Sequence, residues 1–189
     1  MSEEEIRNLP LIHFAGNLQV INSVSQVEEC LPFLKDQKLL GFDTETKPSF
    51  KKGKKNRVAI LQLATDEKAF LFQLNKTGLH QGIIEVLKDS NITKVGAAIK
   101  DDILALKKIT QFEPSGFIEL QKLVTSFGIE QISLKKMAAI ILNGRISKSQ
   151  QTSNWEQEEL TEAQQLYAAT DAWCSYKIYT LLNQNSYYE

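Results

Sequence analysis

Cysteine is scarce in this chain: two thiols, Cys30 and Cys174, stand in 189 residues. They lie far apart and lack the spacing of a metal site, so they read as reduced thiols in a cytosolic protein and not as a disulfide framework. Long apolar runs are missing too. None approaches the roughly 20 residues that a membrane-spanning helix needs. The first residues, Met1-Ser2-Glu3-Glu4-Glu5, are acidic and polar, the opposite of a secretory leader. Secretion and membrane insertion are therefore not expected, and the expected location is cytoplasmic. Only four prolines punctuate the chain, and no repeat, low-complexity tract or linker divides it. One domain is expected across residues 1–189, an ordinary length for one. An excess of either charge is also absent, with 22 Lys and Arg against 23 Asp and Glu and a formal net charge of −1. A nucleic-acid binder of this composition must concentrate its basic residues locally.

What is present is a core cut into short pieces. Hydrophobic residues make up 42% of the chain, enough for a proper core. A short strand is predicted at residues 19–22 and a helix at 25–34, with Pro32 weakening its last turn. Three apolar runs of strand length follow, at residues 38–44, 57–64 and 68–74. The brief turn Thr65-Asp66-Glu67 makes the last two an antiparallel hairpin. Leu79, Ile83, Val86 and Leu87 recur at helical spacing. Residues 94–99 read as a buried strand that passes into a helix over 102–109. Phe117-Ile118 predicts one more strand, and residues 120–127 a helix stopped by Gly128. Ser133 is an N-cap for a helix over 134–142. After a polar, irregular segment, Thr161-Glu162-Ala163-Gln164 has the form of a capping box and opens the last long helix. The expected fold is an α/β mixed sheet, three antiparallel strands and then parallel ones, flanked by helices. Such a fold serves many functions, so function must be argued from side chains.

Three places concentrate carboxylates against apolar surroundings. Asp43 and Glu45 stand two apart on a core strand and so share a face. Two carboxylates there repel each other and are costly to bury unpaired. A hard divalent cation such as Mg²⁺ or Mn²⁺ relieves that cost; a strand that ends early and leaves both solvated relieves it equally. Asp101 and Asp102 follow the run Val95-Gly96-Ala97-Ala98-Ile99, where either is also a plausible helix N-cap. Tyr167 and Asp171 lie one turn apart on the last helix. They share a face with Ala163, Thr170 and Cys174, flanked by Leu166 and Ile178, so that face is expected to be buried.

The strings Gly-Phe-Asp-Thr-Glu-Thr (41–46), Val-Gly-Ala-Ala-Ile-Lys-Asp-Asp (95–102) and Tyr-Ala-Ala-Thr-Asp-Ala (167–172) resemble, in order and spacing, the three motifs of the DEDDy 3′-5′ exonuclease family of the ribonuclease H-like superfamily. The likeness extends over residues 57–64 and over the approach to the third motif, Ser147-Lys148-Ser149, Thr152-Ser153-Asn154-Trp155 and Leu160-Thr161. It covers roughly residues 20 to 182. The resemblance implies two divalent cations, Mg²⁺ or Mn²⁺, held by Asp43, Glu45, Asp102 and Asp171. It places Asp102, not Asp101, at the second motif's ligand position, and makes Tyr167 the group that orients the attacking water. The departures are Ala97-Ala98 in place of a Val-Gly or similar pair, and Glu119 where many relatives carry aspartate. The implied activity is metal-dependent hydrolysis of phosphodiester bonds from the 3′ end, on DNA in preference to RNA. The alternatives are RNA 3′-end trimming like that of ribonuclease D, and a non-catalytic nucleic-acid-binding module.

The most basic stretch, Lys51-Lys52-Gly53-Lys54-Lys55-Asn56-Arg57, joins the first carboxylate strand to its neighbour. Its five cations, Lys51, Lys52, Lys54, Lys55 and Arg57, are candidate phosphate contacts, although such a loop is as often simply solvated. Lys148, in the polar segment before the last helix, is a further candidate. Trp155 is a candidate for stacking on a base, but a tryptophan in such a segment more often anchors it to the core.

Overall fold

A computed structural model describes residues 1–48, 56–130 and 132–185. A short helix, α1 (Glu3–Arg7), precedes the edge strand β1 (Asn17–Ile21). Helix α2 (Val24–Asp36) runs straight through Pro32. The predicted weakness there does not end the helix, because Val27, Cys30 and Leu34 bury a stripe against the sheet. Pro32 deprives the carbonyl of residue 28 of its partner, but Glu28 and Pro32 are both exposed, so water can replace it. Both thiols are buried and unpaired, and burial pushes that of Cys30 up to about 11.

Strands β2 (Leu39–Thr46), β3 (Val58–Ala64) and β4 (Lys68–Gln73) are the three expected antiparallel strands. The β3–β4 turn is closed by Thr65, whose N–H donates to the Lys68 carbonyl at 2.8 Å and whose hydroxyl accepts the Lys68 N–H at 3.1 Å. Every residue of β3 is buried, as a continuous apolar run predicts for a strand covered on both faces. Next come α3 (Leu74–Thr77), α4 (Gln81–Lys88) and β5 (Thr93–Gly96). The chain continues with α5 (Ile99–Lys107), β6 (Phe117–Glu119), α6 (Leu120–Ser126), α7 (Leu134–Ile141) and the long α8 (Glu162–Asn185). The sheet order is β1-β4-β3-β2-β5-β6. Strand β1 joins β4, β5 joins β2, and β6 joins β5, all in parallel. Neither α1 nor α3 is legible as a periodic pattern, since each is a turn or so long. The capping box of α8 forms as expected. Gln164 Oε1 accepts the Thr161 N–H at 3.0 Å, and Thr161 Oγ1 accepts the Gln164 N–H at 3.3 Å.

Two apolar layers hold the sheet. On one face Leu40, Phe42, Leu61, Leu63, Phe70 and Phe72 pack with Leu34, Ile83, Leu87 and Leu106. On the other, Ile60, Ala64 and Leu71 pack with Trp155, Ala168 and Ala172 under α8. Among the described residues, no helix is long and apolar enough to cross a membrane.

One buried cation is structural. Lys94 on β5 is fully buried. Its ammonium donates to the carbonyls of Asp89 and Ile92, both at 2.6 Å, and lies 5.2 Å from the Phe117 ring centroid. Burial pulls its pKa down from 10.5 to about 8. Between about 8 and 10.5 the unfolded chain therefore binds a proton that the folded protein does not, so this residue's contribution to stability rises with pH over that window and is least favourable below it. Lys94→Met removes the contribution. Thermal melts from pH 7.5 to 10.5 are expected to show the wild type gaining stability relative to Lys94→Met as pH climbs. A pH-independent difference between the two would contradict this reading.

Candidate active site

Strand β2 continues to Thr46, so Asp43 and Glu45 lie inside the strand and not beyond its end. Their cross-strand neighbours are Gln62 and Ile60, which turns both carboxylates toward the face covered by α8. That helix approaches closely because Gly41 has no side chain. A Cβ there would stand 1.9 Å from the Ala172 carbonyl oxygen. Ala172 is next to Asp171, so the same approach delivers Asp171 to the strand. The result is a group of three: carboxylate oxygens of Asp43, Glu45 and Asp171 all lie within 4.8 Å of one another.

The electrostatics of this group are unfavourable for three free charges. Burial, then the charges of Asp171 and Asp102, hold the Asp43 carboxyl well above the usual carboxylate range. Burial and the neighbouring charges of Asp43, Asp171 and Asp102 push Glu45 up to about 10. Asp171 is raised by burial to about 7, with the Tyr167 hydroxyl one turn away and the Lys148 ammonium pulling the other way. Among the described residues none of the three is ion-paired. Several carboxylates that crowd without a cationic partner fit a hard divalent cation, which takes oxygen ligands and removes the repulsion.

Asp102 is held separately. Thr44 lies between Asp43 and Glu45 and alternates to the opposite face, where its hydroxyl donates to Asp102 Oδ1 at 2.5 Å. Asp102 thus stands outside the group of three but close enough for its charge to raise both Asp43 and Glu45. Burial, then the charges of Asp101 and Glu119, bring Asp102 to about 6, opposed by the Thr44 hydroxyl. Asp102 is not an N-cap. Strand β5 ends at Gly96, three residues earlier than predicted, and α5 starts at Ile99 with Ala98 as its N-cap. Both Asp101 and Asp102 fall in the first turn, with Asp101 exposed.

On α8, Tyr167 is 9% exposed and packs on Trp155 with ring centroids 6.0 Å apart. Burial and the carboxylates of Asp171, Glu45 and Asp43 drive its phenol far above the ordinary value, so it keeps its proton and acts as a donor. Ala163 and Leu166, expected on or beside the buried face, are exposed. The apolar layer takes in α8 only from Tyr167 onward.

Trp155 is corrected by its burial. It is 0% exposed and packs into the layer with Ile60, Leu71 and Tyr167. No ring face is left for a base, and its role is to anchor the polar segment behind Tyr167. Lys148 is exposed and lines the carboxylate cleft, about 320 Å³ in volume, opposite Asp43, Glu45 and Asp171. Arg57 is exposed on a second cleft, about 630 Å³, that is lined by Asp102 and also carries Lys47 and Lys108. Lys51, Lys52, Lys54 and Lys55 lie outside the described residues. Sequence reasoning missed the polar wall of the first cleft, made by Gln121, Ser133, Ser147 and Gln151. These come from separate segments, and only their polarity marks them in the sequence. It also missed Thr44, although strand alternation alone sends that side chain to the opposite face from its two neighbours.

A family model described as 3′-5′ exonuclease matches residues 18–185. The chain is 34% identical over 188 residues to the mouse bifunctional 3′-5′ exonuclease/ATP-dependent helicase WRN, covering 93% of this chain and 13% of that protein. It is 31% identical over 201 residues to the putative 3′-5′ exonuclease R431 of Acanthamoeba polyphaga mimivirus, covering 93% of this chain and 49% of that one. The chain therefore spans half or less of the length of these two relatives. The crystal structure of Escherichia coli RNase D, an exoribonuclease involved in structured RNA processing, has the same fold. Its TM-score is 0.78 at 20% identity, over 90% of this chain and 46% of that chain. The fold is thus a ribonuclease H-like mixed sheet. With the family model spanning nearly all of the chain, and with the acidic cluster at the motif positions, the chain belongs to the 3′-5′ exonuclease family.

Proposed function

We propose that this chain hydrolyses phosphodiester bonds one nucleotide at a time from the 3′ end of DNA, with two divalent cations, Mg²⁺ or Mn²⁺, at its carboxylates. The observation that carries the reading is the convergence of Asp43, Glu45 and Asp171 oxygens within 4.8 Å of one another at the family's motif positions. DNA is carried over from the motif resemblance, and the shared fold with ribonuclease D, an exoribonuclease at 20% identity, makes RNA the substrate to test beside it.

Each side chain then has a task. Asp43, which the charges of both Asp171 and Asp102 reach, would be a ligand to both cations. Glu45 and Asp171 would complete one site, and Asp102 would hold the other. When bound, the cations acidify the attacking water and neutralise charge on the scissile phosphate. Tyr167 Oη keeps its proton and orients that water. It is a poor general base, because its environment makes loss of the proton harder still. Thr44 fixes the Asp102 carboxylate from the other face. Lys148, which lines the first cleft, and Arg57, which lines the second, would meet phosphates on either side of the reacting bond. Lys51, Lys52, Lys54 and Lys55 are proposed to extend that contact, with an affinity that falls as salt rises.

A panel of 5′-labelled single-stranded DNA, recessed duplex DNA and RNA tests the reading, each with Mg²⁺, Mn²⁺ or a chelator. A metal-dependent descending ladder is expected, fastest on DNA. Preference for RNA would make the enzyme a ribonuclease D-like trimmer, and tight binding without cleavage would make it a non-catalytic module. In the same assay purified, folded Asp43→Ala is expected to lose all detectable cleavage, and clear residual activity would remove the shared-ligand role.

Tyr167→Phe deletes only the hydroxyl. Turnover is expected to drop by roughly 100-fold, the scale of misoriented reactants, while metal affinity holds. Wild-type turnover would end the water-orienting role.

Proton linkage gives an independent check on the carboxylates. Their folded pKa values, about 6 for Asp102, about 7 for Asp171 and about 10 for Glu45, exceed the ordinary values of 3.8 and 4.5. The metal-free folded protein therefore holds protons that the unfolded chain releases, so these groups cost stability increasingly as pH rises above about 4. Chelator-treated protein should melt at progressively lower temperature from pH 5 to pH 8 relative to an Asp171→Asn variant. Mn²⁺ should raise the melting point more at pH 8 than at pH 5. A metal shift that is equal at both values would contradict the account.

A further inference from the structure

The junction that places Asp102 is built from weak local material. Ala98 sits in the left-handed region at φ 60°, which a residue with a side chain rarely adopts. As the N-cap of α5 it offers no side-chain hydrogen bond to the helix. The first N–H groups of a helix have no partner within the helix, so this start needs support from elsewhere. The backbone is also crowded, since a Cβ on Gly96 would stand 2.5 Å from the Phe42 carbonyl oxygen.

The support comes from Glu119, on the neighbouring strand and in register with Gly96. Its Oε1 accepts the Ala98 N–H at 2.9 Å, and its Oε2 accepts the Ile99 N–H at 3.0 Å. Oε1 also accepts the Gln121 N–H at 3.1 Å, which caps the start of α6. One carboxylate therefore ties β6 and α6 to the first residue of α5. Asp102 lies three residues beyond Ile99, within the same first turn.

We propose that Glu119 is a positioning residue for the second metal ligand: its two-oxygen grip on the Ala98 and Ile99 N–H groups fixes where α5 begins, and so where the Asp102 carboxylate stands relative to Asp43. The inference rests on the metal-binding reading above. A glutamine cannot replace it, because its amide presents a donor to one of the two N–H groups. Aspartate keeps both acceptor oxygens and the charge, at shorter reach, and is the variant expected to rescue part of the function. Thr44 holds Asp102 from the strand side, so Glu119 acts on the helix end of a carboxylate that is clamped at both ends.

The test compares wild type with Glu119→Gln, Glu119→Asp and the control Glu113→Gln, a change at an exposed partner of Lys107 at the far end of α5. Mn²⁺ binding is titrated by calorimetry without nucleic acid, and amide hydrogen exchange is followed at Ala98 and Ile99. Glu119→Gln is expected to weaken binding of the second Mn²⁺ by about 10-fold or more, the scale of outer-shell changes around metal ligands, and to speed exchange at both amides. Glu119→Asp should fall between it and wild type, and Glu113→Gln should match wild type. In an Asp102→Asn background the Glu119→Gln change should add no further loss of Mn²⁺ affinity, since its target is gone. In cleavage assays kcat should fall while KM for nucleic acid stays unchanged. A folded Glu119→Gln that binds Mn²⁺ as wild type does would overturn the proposal, as would losses that add fully in the Asp102→Asn background. If Glu119→Gln does not fold, Glu119→Asp decides, and wild-type Mn²⁺ affinity there is equally fatal. A wild type that binds Mn²⁺ but cleaves nothing defeats the functional reading and leaves the positioning result standing.

Discussion

The contact between α8 and β2 governs the rest of the molecule. A strand and a helix ordinarily keep a side chain's width between them. Here the Ala172 carbonyl lies where a Cβ of residue 41 would be, and only glycine permits it. The reward is positional. Asp171, beside Ala172, reaches two carboxylates on a strand from which it is separated by more than a hundred residues of chain. Widening that contact by one methyl group would push Asp171 away from Asp43 and Glu45. Small residues along the same stripe, Ala168 and Ala172, are fully buried, so the close approach is maintained along the helix and not at one point only.

That arrangement works against its own electrostatics. Burial raises all four carboxylates, and neighbouring negative charges add to it at Asp43, Glu45 and Asp102, so the metal-free site opposes the fold that creates it. Stability must come from elsewhere, and the double-sided apolar packing of β3 and the two layers around it supply that support. Rigidity there also limits relaxation. A site that could spread apart would lower its repulsion and lose its preference for a cation. The close approach at Gly41, the anchor of Trp155 behind Tyr167 and the Thr44 hydrogen bond each block one direction in which the group could open.

Two periodicities made much of this readable in advance. Alternation put Asp43 and Glu45 on one face, and the four-residue helical spacing put Tyr167 with Asp171. Both are local rules, and both survive in the fold. What the sequence concealed was nonlocal. Pro32 sits within α2 because a buried stripe outweighs one lost hydrogen bond. The start of α5 moved three residues earlier than its pattern suggested because Glu119, some twenty residues on, supplies the cap that Ala98 lacks. Trp155 carried no periodic signal, since the segment around it is irregular, and only the packed structure settles whether its ring faces solvent or core. The resemblance to the exonuclease motifs pointed to the carboxylates but not to the scaffolding that holds them.

The two parts of the site are held by different elements. Asp43, Glu45 and Asp171 meet on the α8 face, whereas Asp102 is bonded to a threonine that points to the other. Asp43 and Glu45 are fixed in the strand, and Asp171 is fixed to it by backbone contact. Asp102 depends on a helix that touches the sheet through side chains and begins at a strained alanine. Of the four carboxylates it therefore has the longest chain of dependence, running through Thr44 on one side and Glu119 on the other. Its position relative to Asp43 sets how a second cation would sit against the first. With two cations bound as proposed, their spacing would depend on the β5–α5 junction, which the close-packed α8 contact does not hold.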